Sequence, residues 1–266
     1  MFQQNTLLGD LRAGSNAVNR AYVGSTIVWP MDSWPLTRPA TLAWWRADMR
    51  STLSLSGGKV TAWRDCVSQY EMTQATDAKR PTYSATSFGG AEGITFGSGL
   101  YLELGSSPWP VNALNSMMLV VCDQLAPVSD TTMHVLASYG ATAVGQRKVT
   151  RSVQGGINRG GLEIGNGFTV DLFEQARVDF TGRHSVVAYY GDVSSTAGLD
   201  DSVFSGTTTL ALRTTTGRTR IGADSDVTPS QYCNAIIRDV LIISGALLSG
   251  TDFADYQAWA LGRVTV

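Results

Sequence analysis

The side chains in this sequence best able to do chemistry are loop carboxylates and loop aromatics. Asp192, Asp200 and Asp201 fall in one loop, and Asp224 and Asp226 in another. Such groups offer hard oxygens, and calcium, which takes six to eight of them, is the cation they suit. Turn aspartates that bond their own backbone are the structural alternative. No continuous calcium-loop motif runs through either stretch, so a metal is not assigned. Trp109, at the tip of Ser106-Ser107-Pro108-Trp109-Pro110, is the aromatic best placed to stack on a sugar face, with Asp200, Asp201, Asp224 and Asp226 as a polar rim. A core or inter-subunit role for Trp109 is the competing reading. Tyr139, Tyr189, Tyr190 and Tyr232 also lie near loops.

Covalent and hydrolytic chemistry is thinly supplied. A retaining glycosidase needs two carboxylates about 5 Å apart. No two glutamates here are close enough in sequence to share a strand face, and Asp171 and Glu174 point to opposite faces. There is no Gly-x-Ser-x-Gly elbow. His134 and His184 lie in apolar strand patterns, and Ser185 points away from its neighbour His184. No His/Cys/carboxylate group has zinc spacing, and the phosphate-loop and dinucleotide signatures are absent. These residues predict no catalytic group and a non-enzymatic protein.

The elements that must position the loops are β-strands. Leu42-Ala43-Trp44-Trp45, Lys59 to Trp63, Gly93 to Gly97 and Leu100 to Leu104 are short strand-like runs separated by glycine and polar turns. That spacing predicts an all-β sandwich or barrel. Ser116 to Cys122 is apolar throughout and reads as a central strand buried on both faces. Trp44, Trp45 and Trp63 read as core. One helix is expected near the end, capped by Ser249 or Thr251, with Phe253, Tyr256, Ala260 and Leu261 on one face. Gly262 would stop it, leaving Arg263 to Val266 for a last short strand.

The stretch from Leu42 to Leu104 resembles the concanavalin A-like, laminin-G-like jelly roll of phage structural and tail-associated proteins. The matching residues are Trp45, Ala47, Asp48, Gly58, Val60, Trp63, Asp65, Gln74, Arg80, Pro81, Tyr83, Phe96, Tyr101 and Leu102. The resemblance implies a two-sheet antiparallel jelly-roll sandwich over residues 40–266, with rim loops that vary in what they bind. Calcium at such a rim is a further implication. Residues 31–39 read as a linker, since the stretch from Trp29 to Pro39 holds three prolines. Residues 1–30 read as a small β-hairpin element, since Gly14-Ser15 and Gly24-Ser25 are each flanked by apolar residues. The run containing Tyr22, Val23, Ile27 and Trp29 is similar to N-terminal docking segments of phage structural proteins.

Composition bounds the partners. The 266 residues carry a net charge of −2, and 16% are charged. A near-neutral chain without a basic stripe is not a nucleic-acid binder. The longest apolar run, Val240 to Leu248, is too short to cross a bilayer, and Met1 to Asn5 lacks the basic and apolar regions of a secretory signal. The three cysteines, Cys66, Cys122 and Cys233, are scattered and read as free thiols made in a reducing compartment. The expectation is a phage virion protein, assembled in host cytoplasm as a homo-oligomer. Its N-terminal element would dock on other virion proteins while its lectin-like face binds host-surface polysaccharide. A purely structural decoration protein is the alternative, and a polysaccharide depolymerase a third.

Overall fold

The computed structural model describes residues 12–13, 16–17, 22–23, 26–27, 35–105, 108, 116–125, 134–140, 147–152, 161–165, 173–174, 182–190, 194–207, 217–225, 228–244 and 252–265. The chain forms two compact units, Met1–Arg38 and Pro39–Val266. In the first, β1 (Arg12–Ala13) pairs with β2 (Asn16–Ala17), and β3 (Tyr22–Val23) pairs with β4 (Thr26–Ile27). Each pair flanks one of the two Gly-Ser dipeptides.

The second unit is one large curled antiparallel sheet with a C-terminal helix. Its first strands are β5 (Thr41–Arg46), β6 (Leu53–Ser56), β7 (Lys59–Arg64), β8 (Glu71–Thr73), β9 (Thr82–Phe88), β10 (Ala91–Phe96) and β11 (Leu102–Leu104). Then come β12 (Ser116–Gln124), β13 (His134–Tyr139), β14 (Arg147–Ser152), β15 (Gly161–Gly165), β16 (Phe173–Glu174) and β17 (Gly182–Tyr190). The last are β18 (Ser194–Leu199), β19 (Ser202–Thr207), β20 (Thr219–Ile221), β21 (Ala235–Ser244) and the helix α1 (Asp252–Val264). One run of strands reads β9-β10-β21-β12-β17-β18-β19, with β5 also on β21. The other reads β6-β7-β8-β11-β20-β13-β14-β15-β16. A pairing of Lys59 with Thr82 links the two runs.

The core is made of alternate residues from both runs: Trp45, Trp63, Phe96, Met118, Val120, Leu136, Tyr139, Val186, Ile221, Ile237 and Val240. Each removes apolar surface from water, which stabilises a fully buried large side chain by about 1.5–3 kcal/mol. Two tryptophans also tie strand to strand through their indoles. Trp45 Nε1 donates to the Trp63 carbonyl at 3.1 Å, and Trp63 Nε1 to the Arg46 carbonyl at 3.1 Å.

β12 and β21 are apolar at consecutive positions because both faces are covered. One face meets the core, and α1 packs across β12 and β17 on the other. Trp259 of α1 meets Trp44 edge-on at 5.2 Å, and Tyr256 Oη bonds Thr41 Oγ1 at 2.7 Å. The sequence-based helix needs two corrections. It runs through Gly262 to Val264 instead of stopping, and its buried face carries Asp252, Tyr256, Gln257, Trp259, Ala260, Arg263 and Val264. Phe253 and Leu261 are only half-buried. The reason is Arg263. Its guanidinium donates to both Asp239 oxygens at 2.9 and 3.1 Å and to Asp48 Oδ2 at 2.7 Å. Asp239 also accepts Trp44 Nε1 at 3.0 Å, and Asp48 takes two bonds from Arg46 at 2.8 and 3.0 Å. A strand at residues 263–266 would forfeit this buried network.

Candidate functional site

At the rim of the β11–β20 pair, the strand-end edge where Leu102 meets Ile221, two tyrosines and a set of charged groups converge. Tyr101 and Tyr232 are half-buried, with ring centroids 6.4 Å apart and planes tilted by 35°. Each is fixed by its own loop.

Tyr101 lies just before β11, against the loop from Gln74 to Arg80. Gln74 is buried; its Nε2 donates to the Tyr101 carbonyl at 3.3 Å, and its Oε1 accepts the Thr76 amide at 3.0 Å. Arg80 donates Nε to the Gln74 carbonyl and an Nη to the Ala75 carbonyl, both at 2.8 Å. The Tyr101 amide donates to the Lys79 carbonyl at 3.2 Å. Gln74, Arg80 and Tyr101, singled out by the resemblance, are therefore one device that staples a loop to an aromatic. The Lys79 ammonium lies 5.8 Å from the Tyr101 ring centre.

Tyr232 is fixed from the β20 side. Asp224, fully buried, accepts the Ser230 amide at 3.1 Å, the Ser230 hydroxyl at 2.6 Å and the Gln231 amide at 3.3 Å. Tyr232 donates its hydroxyl to the Pro229 carbonyl at 2.8 Å, and its own carbonyl sits 2.8 Å from His134 Nδ1. Burial, then the neighbouring Tyr101 and Asp224, push the Tyr232 phenol above its ordinary range, so it stays a hydrogen-bond donor. Gly222 holds the turn between β20 and Asp224 at φ +90°, where a Cβ would stand 2.3 Å from Phe96 Cδ1 and 2.9 Å from the Leu100 carbonyl oxygen.

Between the tyrosines, Glu103 of β11 faces Arg220 of β20 in register. Arg220 is buried and bonds Glu103 Oε2 through Nε at 2.6 Å and Nη2 at 2.5 Å. Its Nη1 reaches the Asp224 carbonyl at 2.8 Å, and its guanidinium carbon lies 5.2 Å from the Tyr101 ring centre. Arg218 approaches Glu103 Oε1 at 3.5 Å. The result is an aromatic pair ringed by donors and acceptors held in place by buried bonds. Such a surface can take the apolar face of a sugar ring while bonding its hydroxyls.

The other sequence-predicted residues fall elsewhere. Asp200 and Asp201 form the turn between β18 and β19, Asp200 at φ +53°. Asp200 Oδ2 lies 2.8 Å from His184 Nδ1, Oδ1 accepts the Ser185 amide at 2.9 Å, and its carbonyl accepts Gln257 Nε2 at 2.7 Å. Burial pushes the Asp200 carboxyl up, but the His184 and Ser185 bonds outweigh it and hold it below its ordinary value. The described side-chain bonds of Asp200 go to His184 and Ser185, and those of Asp224 to Ser230 and Gln231. Both bond protein groups, and among the described residues no three His, Cys, Asp or Glu side chains gather to hold a metal; Asp192, the other carboxylate of the Asp200 loop, lies outside the described residues. Trp109, Asp226 and Trp29, with the side chains of Tyr22, Val23 and Ile27, lie outside the described residues. Sequence reasoning missed Lys79, Glu103 and Arg220. No local signal marks Glu103 and Arg220, which meet only through the pairing of Leu-Glu-Leu at 102–104 with Thr-Arg-Ile at 219–221.

No family model matches the sequence, and no curated protein matches it. Solved structures do match in fold. An arabinofuranosidase complexed with arabinofuranosyl-α-1,2-xylobiose aligns over 84% of this chain and 59% of its own, with a TM-score of 0.59 and 13% identity. Domain 4 of an extracellular arabinanase from Geobacillus stearothermophilus, in complex with arabinotriose, aligns over 84% of this chain and 98% of its own, at TM-score 0.52 and 13% identity. Tailspike protein 2 of an Escherichia coli O157:H7 bacteriophage aligns over 79% of this chain and 29% of its own, at TM-score 0.53 and 10% identity. The chain thus spans less than two thirds of the arabinofuranosidase and of the tailspike. At these identities the likeness shows the fold, an all-β scaffold shared with glycan-engaging proteins. It corrects the expectation of a non-enzymatic protein, since this scaffold is found in glycosidases. The physical flaw in that expectation was to demand catalytic carboxylates adjacent in sequence. Folding brings carboxylates together from distant parts of the chain, as it brings Asp48 and Asp239 to Arg263.

Proposed function

We propose that this chain is a glycan-engaging β domain of a glycan-degrading protein of the tailspike kind, and that it holds polysaccharide at the Tyr101–Tyr232 edge. The observation that carries the reading is the half-buried aromatic pair ringed by Glu103, Arg218, Arg220 and Lys79. The fold shared with an arabinanase domain bound to arabinotriose and with a phage tailspike supports it. The two-sheet jelly-roll form of the sandwich, host-surface polysaccharide as the ligand, virion localisation and homo-oligomeric assembly belong to the same proposal. So does docking through Tyr22, Val23, Ile27 and Trp29 in the hairpin unit, with other virion proteins as partners.

The test is a polysaccharide panel, neutral and acidic, read by affinity electrophoresis and by release of reducing ends. Retardation on at least one glycan, lost in Tyr101→Ala, supports the reading. Reducing ends that vanish in Glu103→Gln would add hydrolysis at this edge. No retardation on any glycan overturns the reading.

A further inference from the structure

The site's charge deepens that reading and rests on it. Around the aromatic pair, most cations are already matched. Lys59 pairs with Asp77 at 2.6 Å, Arg80 with Asp77 at 3.1 Å, and Arg64 with Glu71 at 3.0 Å. Arg220 and Arg218 share Glu103. Lys79 differs. It is exposed, it meets no carboxylate among the described residues, and its one described side-chain contact is the Tyr101 ring. Its backbone is pinned at both ends, the amide donating to the Thr76 carbonyl at 2.9 Å and the carbonyl accepting the Tyr101 amide. The ammonium is thus delivered to the ring by a fixed loop. Counting Lys79, Arg218 and Arg220 against Glu103 and Asp224, the edge carries a positive surplus in a chain whose net charge is −2.

We infer that the glycan taken here is acidic, a polymer of uronate or sialate units, with Lys79 meeting the sugar carboxylate as the ring rests on Tyr101. A neutral sugar would leave that ammonium over the ring without a counter-charge. An acidic one replaces solvent with an ion pair beside an aromatic face, where desolvation strengthens it.

The test uses the full chain and three acidic polysaccharides, polygalacturonate, hyaluronate and colominate. Each is presented beside its carboxyl-reduced form, with arabinan and dextran as neutral probes. The inference predicts that at least one acidic form binds more tightly than its reduced counterpart. Lys79→Gln should weaken the acidic form about five-fold, as expected of an exposed ion pair, and the reduced form much less. Raising salt should weaken only the acidic form, since about 8 Å of screening length remains at physiological ionic strength. Equal binding of both forms, binding to arabinan or dextran alone, or a preference that survives Lys79→Gln overturns the acidic-glycan inference and leaves the glycan-engaging reading standing. No binding to any probe overturns both. Unchanged thermal unfolding of Lys79→Gln establishes that a loss is not misfolding.

Discussion

At the scale of single residues, the two tyrosines and the buried charges make opposite kinds of prediction. Tyr101→Ala and Tyr232→Ala remove stacking surface that is half-open to solvent. Each should weaken glycan binding by about 1–2 kcal/mol, roughly five- to thirty-fold, while the thermal midpoint moves little. Arg263 is the converse case. Arg263→Met leaves Asp239 buried without its cation and should cost about 3–5 kcal/mol in denaturant unfolding, with no direct effect on the glycan edge. Acid should act on the same network. Burial pushes the Asp48 carboxyl up, but bonds from Arg46 and the charge of Arg263 prevail and hold it well below the usual carboxylate range. A depressed folded value means the stabilisation is complete above the unfolded value, about 4, and is lost as pH falls below it. Asp48→Asn should flatten the acid limb of the stability profile. The cysteines should be inert near neutrality. Burial raises the Cys66 thiol to about 11 and the Cys233 thiol to about 12, so iodoacetamide should label the folded chain slowly and the unfolded chain quickly.

Elements show why some of this was legible in the sequence and some was not. β12 was readable as a doubly buried strand because a continuous apolar run has few other uses. Trp45 and Trp63 were readable as framework, and the structure places both in the core. The helix end was misread because Gly262 is a stop signal in isolation, whereas Arg263 gains buried partners only if the helix continues. The Tyr101–Tyr232 edge was half visible. Asp224 and Tyr232 stood out, but Glu103 and Arg220 lie 117 residues apart and meet only through the β11–β20 register. Long-range pairing of this kind leaves no local trace. Gly222 is the element whose change should be most disruptive to the edge. Gly222→Ala forces a side chain into Phe96 and out of a left-handed backbone, so both stability and glycan binding should fall, read by calorimetry and by titration.

At the scale of the whole molecule, the protein joins a hairpin unit, Met1–Arg38, to a curled β unit, Pro39–Val266. The β unit carries the whole Tyr101–Tyr232 edge and the Asp48–Arg263–Asp239 network, so it should fold without the first 38 residues and keep full glycan affinity. The β unit shares its fold with an arabinofuranosidase and with an arabinanase domain. The most direct check of the central claim is a calorimetric titration of the intact chain, and of a Tyr101→Ala/Tyr232→Ala variant, with the polysaccharide best retained in affinity electrophoresis. The account predicts saturable binding by the intact chain and at least a ten-fold loss in the double variant, with thermal unfolding preserved. Equal binding by both proteins would contradict it, because the glycan would then be held somewhere other than this aromatic edge.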